Sequence, residues 1–221
     1  MLVRARSAAA FAAALLTAVL LSSCAPDPWA GPRPEPSAVG VPAAGFHPAE
    51  PPAPEATVEP TTGSWDGVHP APGYRVVLLR SGDDAATTSL VDAVESWAGE
   101  RDIALRTVDA DETDPVTAIV EAMDLEPNLI VSAGNALIDP LALVSANHLD
   151  VPFLVVGAEL AEPTGNVTAV DWEGAGFRGE GLTSSTTFDP ATFTPERTGA
   201  AIRAGVTAVL TGLTGVVIWI D

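Results

Sequence analysis

The sequence contains no lysine and a single cysteine. All ten basic residues are arginine, against 29 Asp and Glu residues, so the formal net charge is -19. Proteins that bind nucleic acid through its phosphates need a basic surface, and this composition excludes one. A lone cysteine cannot form a disulfide within the chain, so the fold must be stabilised by its core. The acidic charge also disfavours adsorption to anionic lipid headgroups.

The one cysteine, Cys24, follows a segment typical of a secretory signal peptide. Two arginines precede the apolar run AAAFAAALLTAVLL at 8–21, which is shorter than the roughly 20 residues of a membrane-spanning helix. The letters LSS directly before the cysteine resemble the bacterial lipobox. This resemblance predicts a signal peptide over residues 1–23, acylation of Cys24, and a protein anchored in the bilayer of the cell membrane on its extracytoplasmic side. An ordinary signal peptide with an incidental cysteine is the alternative.

The next segment is rich in proline. Between residues 25 and 72 proline recurs every few residues, without helical or strand periodicity. Such a composition favours an extended, solvated chain. Residues 24–72 are therefore predicted to be the acylated cysteine followed by a disordered stalk. The sparse aromatic residues Trp29, Phe46 and Trp65 leave docking onto a folded domain as the alternative.

Residues 73–221 are enough for one domain with a hydrophobic core. Apolar, β-rich runs begin near residues 75, 103, 129 and 153, and about one helix separates each from the next. This alternation predicts an α/β fold with a doubly wound, mostly parallel, Rossmann-like sheet. Continuous Val, Ile and Leu runs are typical of strands covered on both faces.

Three pairs of residues predict helix starts, because Asp and Thr cap helices and proline suits the first helical position. The pairs are Asp114-Pro115, Asp139-Pro140 and Thr194-Pro195. Residues 204–220 carry no charge, which leaves a membrane span as an alternative there. Their three glycines and β-branched end favour a helix, a turn and a last strand instead.

Several short patterns resemble cofactor, metal or catalytic motifs but lack essential features of those motifs. GAGFRG at 174–179 matches G-x-G-x-x-G but follows the fifth strand, whereas a dinucleotide fingerprint follows the first. DADETD at 109–114 lacks the glycine and the glutamate of a calcium loop. Ser132 is not within the G-x-S-x-G motif of a nucleophile elbow, and His148, the only histidine of the predicted domain, is predicted to be a helix residue, so no Ser-His-Asp hydrolase site is indicated. We therefore expect no cofactor, no metal site and no catalytic residue, and hence a protein that is not an enzyme.

Polar residues follow the predicted strands at their carboxyl ends. In open α/β sheets ligands bind outside these ends, and carboxylates, an amide and an indole suit a neutral polyol or nucleoside. The alternative is that they are ordinary turn and cap residues. The predicted ligand-binding residues are Ser81, Asp83, Asp84, Ser132, Asn135, Glu159, Asp171 and Trp172.

The segments PNLIVSAGNALIDPLALVSANHLDVPFLVVGAE and NVTAVDWEGAGFRGEGL resemble the first lobe of the basic membrane protein (BMP) family. The resemblance covers roughly residues 74–182. It implies a type I periplasmic-binding-protein fold and a lipoprotein that binds solutes, nucleosides among them, for an ABC importer. Asp83 matches an acid that the family places after the first strand, whereas Ala85 and Ala86 stand where the family has Phe-Asn. The length provides one lobe where the family has two.

These observations predict a membrane-anchored solute-binding lipoprotein with a small polar ligand, such as a nucleoside or sugar, and an ABC permease as partners. The alternative is a non-catalytic envelope lipoprotein that uses the fold for protein contacts and binds no small ligand. Saturable binding of a small solute would separate the two.

Overall fold

The structure is a computed structural model that describes residues 27–221. A parallel sheet of seven strands forms its centre. The order of its strands is β2-β9-β8-β7-β6-β4-β5, and every neighbouring pair is parallel. The prediction of a doubly wound α/β sheet is confirmed. The seven strands are β2 (Thr57–Val58), β4 (Arg75–Arg80), β5 (Ala104–Asp109), β6 (Leu129–Ala133), β7 (Phe153–Val156), β8 (Val167–Asp171) and β9 (Val217–Trp219). A separate antiparallel pair consists of β1 (Ala38–Val39) and β3 (His69–Pro70).

Helices cover both faces of the sheet. The helices α1 (Ala85–Glu100) and α4 (Pro195–Leu210) pack on one face, and α2 (Pro115–Asp124) and α3 (Ile138–Ser145) pack on the other. Successive side chains of a strand point to opposite faces, so the run VVLL in β4 fills both cores at once. None of these four side chains is exposed, which explains why the strand is apolar throughout rather than alternating.

Two of the three predicted helix starts are confirmed. The side chains of Asp114 and Thr194 accept hydrogen bonds from the first turns of α2 and α4, with proline at the first position of each helix. Asp139 is not a cap, because α3 continues directly from a 3-10 turn over Asn135–Leu137. Its carboxylate instead accepts hydrogen bonds from the amide of Glu180, at 3.0 and 3.3 Å.

The proline-rich segment is not a stalk over the part that the structure describes, residues 27–72. Its strand β2 pairs with β9 and forms one edge of the central sheet. Phe46 and Trp65 belong to the core under α1 and α4, with 0% and 2% of their surfaces exposed. The docking alternative is therefore correct for this segment, because two large aromatic side chains bury enough apolar surface to hold a chain without helical or strand periodicity.

Donors from the α/β domain hold the start of this segment. Proline has no N–H to offer, but the carbonyl groups of a proline-rich chain remain acceptors. The buried guanidinium of Arg75 donates to the carbonyl oxygens of Pro28 and Gly31, at 2.9 and 2.6 Å, and the side-chain amide of Asn128 donates to that of Pro34. The backbone carbonyl groups of the proline-rich segment thus hold its start in place, although the segment has little regular secondary structure.

The uncharged residues 204–220 form the end of α4 and the last strand, as the favoured interpretation predicts. No helix among residues 27–221 is long and apolar enough to cross a membrane. The predicted signal peptide and Cys24 lie outside the described residues.

Candidate functional site

The sheet changes its winding direction between β4 and β6. From β4 the chain crosses to β5 on one side, and then returns to β6 on the other side of β4. The helices that follow these two neighbouring strands, α1 and α3, lie on opposite faces of the sheet. Such a switch point leaves a crevice outside the carboxyl ends of the strands.

Two adjoining cavities of about 490 and 330 Å³ occupy this crevice. Both have Ser81, Glu112, Asn135 and Ala136 in their walls, so they lie side by side. Small-molecule sites typically measure about 300–1,000 Å³. The volume is therefore sufficient for a molecule the size of a sugar or a nucleoside.

Three of the predicted ligand-binding residues, Ser81, Asp84 and Asn135, line the crevice. Asp83 lies beside Asp84 and is exposed, but it lines neither cavity. Ser132 is 1% exposed within β6 and also lines neither. The structure thus brings together the residues that follow β4 and β6. The predicted residues after β7 and β8 form a separate cluster.

Gly134 allows the two walls of the crevice to approach each other. It has φ +105°, and a Cβ added there would lie 2.8 Å from the carbonyl oxygen of Ser81 and 3.1 Å from Oγ1 of Thr87. Backbone of this conformation is essentially restricted to glycine. The glycine after β6 is therefore needed for the shape of the crevice.

Asp84 closes the N-terminus of α1 with its own carboxylate. Its oxygens accept from the amides of Ala86 and Thr87, at 2.9 and 3.1 Å, and from the hydroxyl of Thr87 at 2.6 Å. Partial burial opposes ionisation, but these hydrogen bonds outweigh it and hold the pKa of Asp84 below its ordinary value. These two amides, which could receive a phosphate at a helix N-terminus, are therefore already occupied.

Ser81 lies in the wall of the crevice, and its buried hydroxyl has no partner among the described residues. Ser81 is 4% exposed and lines both cavities. Among residues 27–221 its Oγ has no hydrogen-bond partner. Buried polar groups in folded proteins nearly always have a partner, in the protein or outside it, so this hydroxyl is suited to meet a bound molecule.

The remaining predicted residues hold the loop between β8 and α4. Asp171 is fully buried, and its carboxylate accepts from the amides of Trp172 and Gly176, at 2.9 and 3.0 Å, and from the hydroxyl of Ser185 at 3.3 Å. Burial raises the pKa of Asp171 above its ordinary value, although these three hydrogen bonds oppose the rise. The carboxylate therefore fixes the glycine-rich loop rather than facing the crevice.

Glu159 lies beside this carboxylate and is 8% exposed. Its Oε1 is 2.9 Å from Nε of Arg178, in an orientation that makes the contact an ion pair rather than a hydrogen bond. Burial raises the pKa of Glu159, and the charge of Asp171 raises it further, whereas Arg178 and Ser185 lower it. The two neighbouring carboxyl groups, Glu159 and Asp171, thus resist being ionised at the same time.

Replacing Glu159 with Gln is expected to make the stability of the protein less dependent on pH above about pH 4. A raised folded-state pKa means that the contribution of Glu159 is fully present below its ordinary pKa and is lost as pH rises through the raised value. The free energy of unfolding, measured in urea over a pH series, should therefore fall more steeply with rising pH in the wild type than in Glu159→Gln. Glu121→Gln, an exposed change on α2, should follow the wild type. Parallel curves for the wild type and Glu159→Gln would contradict the prediction.

Trp172 is a core residue. It is fully buried, its indole N–H donates to the hydroxyl of Thr192 at 3.1 Å, and its ring packs edge-on against Phe193 with centroids 4.9 Å apart. The prediction that its indole stacks on a ligand is wrong for this conformation, because no part of the ring reaches the crevice.

Residues that were not predicted to bind a ligand complete the walls. Glu112 belongs to the acidic turn after β5 and lines both cavities. The loop between β8 and α4 contributes Phe188, which is 46% exposed, to the larger cavity, and Phe177 and Glu180 to the smaller. Glu112 follows β5, the strand beside β4, and this position in the sequence could have predicted that it lines the crevice. Nothing in the sequence indicated that the distant loop folds back over β4 and β6.

No protein-family model matches the sequence, and no curated protein matches it. The structure is similar to a solute-binding protein of an ABC transporter system from Aeropyrum pernix K1, at 17% identity and a TM-score of 0.40, over 46% of this chain and 29% of that one. It is similar to a periplasmic ribose ABC transporter from Conexibacter woesei DSM 14684, at 17% identity and a TM-score of 0.34, over 67% and 54% of the two chains. A transcriptional activator of the comK gene from Bacillus halodurans matches at 14% identity and a TM-score of 0.39, over 66% and 53%. This chain covers less than two thirds of each of the three proteins.

Proposed function

We propose that this protein binds a small polar solute in the crevice between β4 and β6. The observation that carries the proposal is Ser81, a buried residue that lines both cavities and whose hydroxyl has no hydrogen-bond partner among the described residues. The amide of Asn135 adds a donor and an acceptor, and the half-exposed ring of Phe188 adds an apolar wall. A few convergent polar groups in a partly apolar pocket are typical of small-molecule sites.

The biological setting is part of the same proposal. Acylation of Cys24 would anchor the protein in the bilayer on the extracytoplasmic side, and an ABC permease would receive the solute. A nucleoside or a sugar matches the size of the crevice. The support for the anchor is the lipobox-like sequence alone, and for the importer it is the resemblance of the strand pattern to BMP lipoproteins.

Thermal unfolding of the purified protein with a panel of hexoses, nucleosides and amine-bearing solutes tests solute binding. A ligand at about 100 times its Kd adds about 2.7 kcal/mol of stability. Ser81→Ala should weaken binding by up to about tenfold, because one hydrogen bond contributes about 0.5–1.5 kcal/mol. The same change should leave the free protein equally stable or slightly more stable, because the lost hydroxyl has no partner to leave unpaired.

Ser37→Ala is the matched control, because Ser37 is exposed and far along the chain from the crevice. It should bind like the wild type. A cooperative transition that no compound shifts would contradict solute binding. That outcome would favour the alternative of an envelope protein that uses the fold for protein contacts.

A further inference from the structure

The crevice is lined by charge of one sign. Its walls contain four carboxylates, and no arginine or histidine lines either cavity in the part of the chain that the structure describes. A cleft lined by charge of one sign attracts ligands of the opposite sign. The four residues are Asp84, Glu112, Asp139 and Glu180.

Two of these carboxylates are free to meet a ligand. Asp84 is engaged with the N-terminus of α1, and Asp139 accepts from the amide of Glu180. The side chains of Glu112 and Glu180, by contrast, make no hydrogen bond or ion pair with residues 27–221. Both line the smaller cavity, and Glu112 also lines the larger one. Glu112 therefore places an uncompensated charge in the wall that the two cavities share, and Glu180 places one in the smaller cavity.

No neighbouring cation cancels this charge. Arg178, the arginine closest in sequence to Glu180, is directed to Glu159 in the separate cluster behind the loop. Among residues 27–221, no three His, Cys, Asp or Glu side chains are arranged to hold a metal ion. Two carboxylates without a further ligand group match a ligand that carries a single positive charge, such as an organic ammonium group.

We propose that the solute is a small hydroxylated amine, of the amino-sugar or amino-alcohol class. Its ammonium group faces Glu112 and Glu180, and its hydroxyl hydrogen-bonds with Ser81. The carboxylates supply the charge recognition. The independent observation that points to a ligand is Ser81, a buried residue in the wall of both cavities whose hydroxyl has no partner among residues 27–221. The inference rests on the proposed function and narrows it from a polar solute to a cationic one.

Calorimetric titration with matched pairs of compounds tests this inference. Each pair differs by an amino group in place of a hydroxyl: glucosamine with glucose, and ethanolamine with ethylene glycol. At about pH 6, where primary amines are protonated, and at low ionic strength, at least one amine should bind about tenfold more tightly than its partner. Added salt should weaken amine binding and leave binding of the neutral compounds unchanged, because screening acts on the charge.

Glu112→Gln should weaken amine binding by about fivefold to tenfold without changing the affinity for the neutral partner. Glu121→Gln removes the same charge from an exposed position on α2 and should change neither affinity. Circular dichroism of both variants should match the wild type. A structural role of Glu112 would weaken both members of a pair equally, and that result would overturn the inference.

The failures of the two proposals are distinguishable. If binding is detected and neither amine binds more tightly than its neutral partner, the charge inference is overturned and solute binding stands. If no compound of either kind binds, at any ionic strength, both proposals are overturned.

Discussion

Trp65→Ala is expected to lower the free energy of unfolding by about 3–5 kcal/mol, the usual cost of removing a large aromatic side chain from a core. Trp65 is 2% exposed and shares a core with Phe46 and α4, and its carbonyl accepts from the hydroxyl of Thr207 at 3.4 Å. Unfolding in urea, followed by circular dichroism, measures the loss. The loss is large because typical domains have only about 5–15 kcal/mol of stability in total.

Val41→Ala is the matched control in the same proline-rich segment. Val41 is 80% exposed, so its truncation should change stability by less than about 0.5 kcal/mol. If Trp65→Ala is too unstable to isolate, Trp65→Phe should still show a measurable part of the loss. An unfolding transition of Trp65→Ala that coincides with the wild type would restore the interpretation of the segment as a stalk.

Asp171→Ala is expected to cost about 3 kcal/mol. The change leaves the amides of Trp172 and Gly176 without their acceptor in a fully buried place, and each unpaired buried group costs about 1–3 kcal/mol. Loss of these bonds releases the loop between β8 and α4. Limited digestion with trypsin should therefore cut after Arg178, within this loop, faster than in the wild type.

Asp171→Asn separates the hydrogen bonds from the charge. Asparagine keeps an acceptor oxygen for the two amides. It also removes the negative charge of the carboxylate, which burial disfavours. We expect this variant to lose less than about 1 kcal/mol and to resist trypsin like the wild type. Equal stability of the alanine and asparagine variants would show that the carboxylate does not hold the loop.

The sequence predicted the position of the crevice, but it predicted only some of the residues that line it. Ser81 and Asn135 follow adjacent parallel strands, and the winding rule puts the residues after such strands at one edge of the sheet. Trp172 was mispredicted by the same rule, because a residue that directly follows a strand can also fold into the core. Its full burial results from Phe193 and Thr192, about twenty residues further along the chain.

The sequence by itself determined six of the seven strands of the sheet, all except β2, and most helix starts, together with the net charge. These features depend on local signals: apolar runs, cap residues and prolines, which act over a few residues. The tertiary structure alone decided three things. The proline-rich segment packs through Phe46 and Trp65, the loop after β8 closes the crevice, and Asp171 acts as a structural anchor. Each depends on contacts between residues distant in the chain, and no local pattern encodes which acceptor, aromatic ring or carboxylate will find its partner.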